Sequence, residues 1–320
     1  MSNHIDKDEI LLIGAGKMAE EYAKILRSLN VPFTVIGRGE ESAKSFYERT
    51  GIPVETGGLE EWTKQQQKIP ETAIVSVNVE KLANATLHLL ERGVRKVLVE
   101  KPGGLDLGEL FKVAATAEVK DAEVYIAFNR RFYASTIRGQ EFIQEDGGVT
   151  SFHFEFSEWS HLIGKNNHID PKVKKNWFLA NSSHVVDMAF FLGGKPIEMK
   201  CYKKGSLEWH PNSSIFAGAG ISENGALFSY HANWEAPGNW KIEILTPSRR
   251  LIYNPLEKLY VQRIGTTLLE EVILDDIYDK TFKPGLYRQV HSFLNFPAQS
   301  SLLPVSHWLQ QAAKFSRISY

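Results

Sequence analysis

The sequence predicts an α/β chain: a doubly wound parallel sheet in an N-terminal domain, then a C-terminal α+β domain with a large, mostly antiparallel, open-faced sheet. Three observations predict it. Over the first 128 residues short apolar runs alternate with stretches of helical periodicity. A glycine-rich turn joins the first run to the first helix. Beyond that point the pattern changes to strict alternation of apolar and polar residues, the mark of strands with one face on a core.

The elements follow in order. Residues 10–13 (ILLI) read as a buried strand ending at Gly14. Met18, Tyr22, Ile25, Leu26 and Leu29 place one apolar face on a helix over 17–29. Strands follow at Phe33–Ile36, Ala73–Val79, Val94–Val99 and Val124–Phe128, with helices at 40–49, 81–92 and Leu107–Ala117 between them. Strands separated by helices of this length need right-handed crossovers and hence a parallel sheet covered on both faces. In the second half, 149–158 (VTSFHFEFSE) alternates, as do Glu198–Lys204, Ser214–Ile221, Ala226–Trp234, Trp240–Leu245, Leu251–Asn254 and Lys258–Arg263. One helix near 182–192 interrupts them, and helices near 285–296 and 304–316 close the chain. The expected domains are 1–127 and 128–320. The aromatic-rich 226–234 region and Trp240 are expected on the open face, covered by another copy in a dimer or tetramer.

Composition narrows the function. With 43% hydrophobic and 23% charged residues the chain has the makings of a real core. A net charge of −1 gives no bulk attraction to nucleic acid or to an anionic membrane, and neither is an expected partner. Cys201 is the only cysteine, so no internal disulfide forms. The polar start MSNHIDKDEI lacks the apolar centre of a signal peptide, and a cytoplasmic location is expected. No CxxC, HExxH or other ligand pair at metal spacing is present, and no metal is expected. His153, His161 and His168 read as surface histidines.

Gly14-Ala15-Gly16-Lys17-Met18-Ala19 fits GxGxxA between a strand and a helix, the setting in which a Rossmann unit holds a dinucleotide. Gly14 allows the turn, Gly16 lets a pyrophosphate approach, and Ala19 keeps the helix close to the strand. Lys17 and Met18 offer the first helical amides to the phosphates. NAD-binding units carry an acid at the end of the second strand to bond the ribose hydroxyls. Here Gly37 stands there and Arg38 follows. A guanidinium pairs with a 2′-phosphate and stacks on adenine, so NADP is favoured, with NAD the alternative. Ser42 and Lys44 are further candidate contacts, while Glu40 and Glu41 leave room for NAD.

In an open α/β sheet ligands bind beyond the carboxyl ends of the strands. Lys101 stands at such an end between Glu100 and Pro102, and the proline forces extended geometry on it. The cofactor set is completed by Glu100, Lys101, Pro102, Asn78 and Asn129. His184 and Asp187, three apart, share a helix face. A histidine moves a proton near neutral pH.

GxGxxA, the Glu100-Lys101-Pro102 triplet, Asn129-Arg130-Arg131-Phe132, and His184-Val185-Val186-Asp187 before a helix ending at Leu192-Gly193-Gly194 together resemble the Gfo/Idh/MocA oxidoreductases, over the whole chain and in the same two-domain order. The resemblance implies that Lys101 contacts the cofactor ribose and the reacting substrate hydroxyl. It implies a cis bond before Pro102, His184 aimed at the substrate, and Asp187 in the cleft. The catalytic pair is then Lys101 and His184. The substrate contacts are Asn181, Asp187, Arg130 and Tyr287, with Arg131, Arg288, Lys174, Lys175, Trp177, Trp209 and His210 as weaker candidates. The sequence departs from the family at Ala180, where many members carry an aspartate four residues before the histidine; Asn181 is the neighbouring hydrogen-bonding substitute.

The activity implied is hydride transfer between a nicotinamide and a carbinol or keto carbon of a sugar or sugar derivative, nucleotide sugars included. Two alternatives differ in class. One is a lyase or hydrolase that oxidises a sugar transiently and recycles its cofactor. The other is a non-enzymatic NADP-dependent regulator.

Overall fold

The computed structural model describes residues 9–319, so 1–8 of the polar N-terminal stretch lie outside the described residues. The described residues form two compact units, one of 9–127 with Leu286–Leu309, the other of Phe128–Gly285 with 310–319.

The first unit begins β1 (Ile10–Ile13), α1 (Lys17–Ser28), β2 (Phe33–Ile36), α2 (Glu40–Thr50), β3 (Val54–Glu55) and α3 (Leu59–Gln65). It continues β4 (Thr72–Val75), α4 (Val79–Glu91), β5 (Lys96–Glu100), α5 (Leu107–Val119) and β6 (Glu123–Ala127). The four residues of β1 are buried, as a strand covered on both faces requires. The parallel strands run in the order β6-β5-β4-β1-β2-β3, which reverses direction beside β1 and opens a crevice at the carboxyl ends there. Buried Tyr22, Ile25 and Leu26 hold α1 to the sheet. The Lys101–Pro102 peptide is cis.

The second unit carries a 3₁₀ turn at Asn129–Phe132, then α6 (Ala134–Glu145), β7 (Ser151–Phe156), α7 (Ser160–Lys165), α8 (Pro171–Lys175), a π-helical turn at Phe178–Ser182 and α9 (Ser183–Gly193). Then come β8 (Pro196–Lys204), β9 (Ile215–Ser222), β10 (Leu227–Asn233), β11 (Trp240–Leu245), β12 (Arg249–Tyr253), β13 (Tyr260–Arg263), β14 (Glu270–Glu271) and α10 (Ile277–Thr281). The strands form one sheet in the order β14-β13-β12-β11-β7-β10-β9-β8. Every neighbouring pair is antiparallel except β7 with β10.

Alternation sets what each face of this sheet carries. Phe152, Phe154 and Phe156 of β7, with Phe228 and Tyr230 of β10, point to one side and are buried. Phe190 of α9 meets this layer, its ring 5.0 Å from Phe228 and 5.4 Å from Phe154. The expectation that the aromatics of 226–234 lie on the open face is therefore corrected. Phe228, Tyr230 and Trp234 belong to the covered core, because the two-residue period turns them to the buried side of the sheet. The opposite face presents Leu227 and Tyr202, at 62% and 68% exposure.

The chain returns to the first unit with α11 (Leu286–Asn295) and β15 (Leu303–Pro304), and ends in α12 (Val305–Ser319). The expected 128–320 domain is corrected in this segment. Leu303 pairs antiparallel with Ile126 of β6, so β15 becomes the seventh strand of the first sheet. Phe293 of α11 packs against Tyr125 at 6.3 Å, and the Lys96 amine rides over the same ring at 5.1 Å. Burial holds that amine below the usual lysine pKa. The first residues of α12 stay with this unit, where the Trp308 indole donates to the Pro102 carbonyl at 2.9 Å. From Gln310 on it belongs to the second, where Phe315 stacks on Phe190 at 5.0 Å.

Candidate active site

In the first unit the glycine turn has the form the sequence predicts. Gly14 adopts φ +117°, and its amide donates to the Ile36 carbonyl at 2.8 Å. A Cβ at Gly14 would lie 2.7 Å from the Ser76 carbonyl oxygen. Gly14→Ala is therefore expected to cost about 1–3 kcal/mol from backbone strain alone, with the clash added. A melting curve set against wild type checks this; an unchanged midpoint would contradict it.

Gly16 caps α1 in extended geometry, with no side chain bonded to the first helical amides. A Cβ there would meet nothing within 4 Å, and Lys17 is exposed while Ala19 is fully buried. The helix thus begins with free donors over an open cradle, which fits the pyrophosphate of a dinucleotide. The Gly37 position is closed. A Cβ would lie 2.8 Å from Val54 Cγ1 and 3.2 Å from the Ala15 methyl, so a side chain at position 37 would have to displace Val54. Arg38 is exposed and, among the described residues, in no ion pair. Ser42 donates to the Gly39 carbonyl at 2.9 Å, and Lys44 lies 4.0 Å from Glu48 on the exposed face of α2. Asn78 is exposed and caps α4.

The rim of this sheet is tied to the helix that forms the cradle. Tyr22, fully buried in α1, donates its hydroxyl to Glu100 Oε1 at 2.7 Å. Burial, and then the charge and hydrogen bond of Glu100, push the phenol well above its ordinary pKa, so it stays a donor. Glu100 is fixed at the end of β5 and Lys101, half-buried, follows. Tyr287 also falls in this unit, on α11, its ring stacked on His291 at 6.3 Å.

In the second unit His184 is the second residue of α9 and is 7% exposed. Its ring meets the edge of Phe128 at 5.8 Å and lies 6.3 Å from Trp240. The π turn runs straight into this helix; such turns insert one residue into a helix, often at a functional site. Asp187, one turn on, is fully buried. Arg131 donates to both its oxygens, Nε to Oδ2 at 2.8 Å and an Nη to Oδ1 at 2.6 Å. The expected substrate role of Asp187 is corrected, because its carboxylate is consumed by this bidentate pair. Asn129, expected at the cofactor, donates its amide to the Pro284 carbonyl at 2.9 Å and fixes the chain before α11. Arg130 stacks on Trp240 at 4.9 Å and on Tyr133 at 5.8 Å.

Sequence reasoning missed Glu158. Its carboxylate accepts from the Asn181 amide at 3.1 Å on each oxygen and from the Ser182 hydroxyl at 2.6 Å. The Asn181 nitrogen is thus committed to Glu158 rather than free for a substrate hydroxyl. Glu158 is only 8% exposed and borders a cleft of about 1020 Å³ in the second unit. Ser160, Lys174, Lys175 and Trp209 line the same cleft. The Ser160 hydroxyl is buried without a hydrogen-bond partner among the described residues. Trp209 stacks on buried Trp234 at 5.7 Å, and Trp177 meets its edge at 6.1 Å. His210 is fully buried, its Nδ1 2.7 Å from the Ser213 carbonyl, and burial lowers its pKa. It therefore belongs to the core behind the cleft. No cluster of three or more potential metal ligands occurs among the described residues, and no helix there is long and apolar enough to cross a membrane.

Comparison with known proteins bears on the fold. Residues 9–128 match the sequence model of the Gfo/Idh/MocA family, described as an oxidoreductase family with an NAD-binding Rossmann fold. No curated protein matches the sequence. The fold is shared with a putative NADPH-dependent oxidoreductase from Desulfitobacterium hafniense, at a TM-score of 0.76 and 17% identity over 99% of this chain and 94% of that one. It is shared with a UDP-N-acetylglucosamine 3-dehydrogenase from Acidithiobacillus ferrooxidans, at 0.73 and 14% over 98% and 96%. A levoglucosan dehydrogenase solved with NADH and levoglucosan gives 0.76 and 17% over 97% and 95%.

Proposed function

We infer that this chain, whose residues 9–128 belong to the Gfo/Idh/MocA family of NAD-binding oxidoreductases, uses NADP to oxidise or reduce a CH–OH carbon of a sugar or sugar derivative. The observation that carries the reading is the Tyr22–Glu100 bond. It joins the helix that begins at the dinucleotide cradle to the strand end that presents Lys101. Phosphate donors and an amine on one rim are what a nicotinamide-dependent dehydrogenase requires. Gly14, Gly16, Lys17, Met18 and Ala19 would hold the pyrophosphate, Asn78 and Pro102 would border it, and Arg38 would hold the 2′-phosphate. When bound, the nicotinamide supplies the hydride acceptor or donor.

The protein's own groups handle the proton. In oxidation His184 takes the proton of the reacting hydroxyl, while the Lys101 ammonium stabilises the oxygen as it gains charge. In reduction Lys101 polarises the carbonyl and His184 returns the proton. Glu158, held by Asn181 and Ser182, accepts hydrogen bonds from other hydroxyls of the sugar, and Trp209 offers apolar surface to a ring. A cleft with a carboxylate, a hydroxyl, amines and an indole suits a hydroxylated ring. The likeness to dehydrogenases of UDP-N-acetylglucosamine and levoglucosan supports the same class.

The test is a screen for formation of reduced cofactor with NADP and NAD against free sugars, polyols and nucleotide sugars. Turnover of none of them with either cofactor would overturn the reading. Cofactor choice is tested separately. Arg38→Ala is expected to weaken NADP about 10- to 100-fold, the worth of hydrogen bonds to a charged group, and to leave NAD unchanged. Equal losses for both cofactors would remove Arg38 from the 2′-phosphate.

A further inference from the structure

We propose that the substrate carries a carboxylate and that Arg130 binds it, so that the sugar of the preceding reading, on which this rests, is a sugar acid. Arg130 lies in the 3₁₀ turn Asn129–Phe132 at the head of the second unit. The turn is well fixed: the Arg130 carbonyl accepts from the Thr136 hydroxyl at 2.7 Å and from the Tyr133 amide at 3.3 Å. The side chain is fixed as well, its guanidinium 4.9 Å from the centre of the Trp240 ring and 5.8 Å from that of Tyr133.

Two aromatic faces hold this cation, yet no anion is supplied to it. Among the described residues Arg130 forms no ion pair, and its Nε is buried without a hydrogen-bond partner. Other arginines of the second unit are treated otherwise. Arg131 is bidentate on Asp187, Arg249 bonds Glu145, and Arg250 pairs with Glu243. Taking a guanidinium partly out of water without a counter-charge is unfavourable, and stacking on rings offsets only part of that. A ligand that brings the anion completes the arrangement.

The position says where on the ligand that anion lies. Trp240 borders both Arg130 and His184, whose imidazole is 6.3 Å from the same indole. A molecule whose reacting carbon addresses His184 therefore presents a neighbouring substituent of the same small ring to Arg130. The charge says which anion. Arg131 is held by Asp187, and the Lys101 ammonium is assigned to the reacting oxygen, so Arg130 is the cation offered to the neighbouring substituent. A planar fork with a single positive charge matches the two oxygens of a carboxylate, whereas a doubly charged phosphate draws more than one basic group.

The test measures binding apart from turnover. Calorimetry is run on the full chain with D-glucuronate, D-galacturonate and UDP-glucuronate, each against its neutral counterpart, glucose, galactose or UDP-glucose. Wild type is expected to bind at least one acid about 10- to 100-fold more tightly than its neutral partner. Arg130→Gln is expected to erase that preference, weakening the acid about 10- to 100-fold more than its neutral partner. Arg130→Lys, which keeps the charge but loses the fork, is expected to restore part of it. Should Arg130→Gln fail to fold, Arg130→Lys decides, since a carboxylate contact predicts a loss confined to the acids. Equal binding of acid and neutral forms, binding of no acid, or a variant that weakens both alike would overturn the proposal. An acid preference without hydride transfer to either cofactor would leave Arg130 as assigned and overturn the oxidoreductase reading instead. Turnover of neutral sugars with no acid preference would do the reverse.

Discussion

Replacing Lys101 with alanine is expected to lower kcat about 100- to 1000-fold, the loss that follows removal of one donor to a developing oxyanion. Cofactor binding is expected to survive, because the cradle at Gly14 and Gly16 and the side chain of Arg38 are untouched by the change. The measurement is kcat alongside a direct titration of the cofactor. His184→Asn should fall by about 100- to 10,000-fold through loss of proton transfer. If the two groups serve one oxygen, the double variant should lose far less than the product of the single losses. A Lys101→Ala enzyme that turns over at the wild-type rate would remove the amine from the chemistry. A double variant that loses the full product would separate the two residues.

Asp187→Ala is expected to be the most destabilising single change in the second unit, by about 3–5 kcal/mol. The carboxylate is fully buried and both its oxygens are bonded to Arg131. Its removal takes both of these bonds from a guanidinium that is 8% exposed and lies 4.7 Å from the centre of the Phe191 ring. The midpoint of denaturant unfolding reports the loss. The two side chains share one bidentate contact, so Arg131→Ala with Asp187→Ala should cost clearly less than the two single losses added together. If Asp187→Ala unfolds at the wild-type midpoint and instead weakens substrate binding, the earlier expectation of a substrate contact is reinstated.

How far the sequence carried the fold depends on the range of the interactions concerned. The alternation of β1, α1 and β2 and the form of the glycine turn are local, and local periodicity is written into neighbouring residues. So is the face of α9 that carries His184. The return of α11 and β15 to the first sheet is not local. Leu286, Val290 and Phe293 mark the apolar side of α11, but nothing in their spacing names the sheet it packs on. With only two residues, β15 is too short to show a period. The Arg131–Asp187 pair joins positions 56 apart, and each residue alone reads equally well as a ligand contact. Glu158 did leave a signal. It continues the inward parity of Phe152, Phe154 and Phe156, and a carboxylate on a core-facing position is a group with an assigned partner.

The seventh strand of the first sheet has a consequence for how the protein comes into being. Strand order makes β6 a sheet edge until Leu303 and Pro304 arrive to cover it. On a ribosome that adds about 5–20 residues per second, the first sheet must wait through the whole synthesis of the second before its border is sealed. Until then the backbone of Tyr125 and Ile126 offers unmade hydrogen bonds to any extended chain nearby. The first sheet is thus completed only after the second, and a nascent chain stalled after the second sheet would be a natural client for a chaperone.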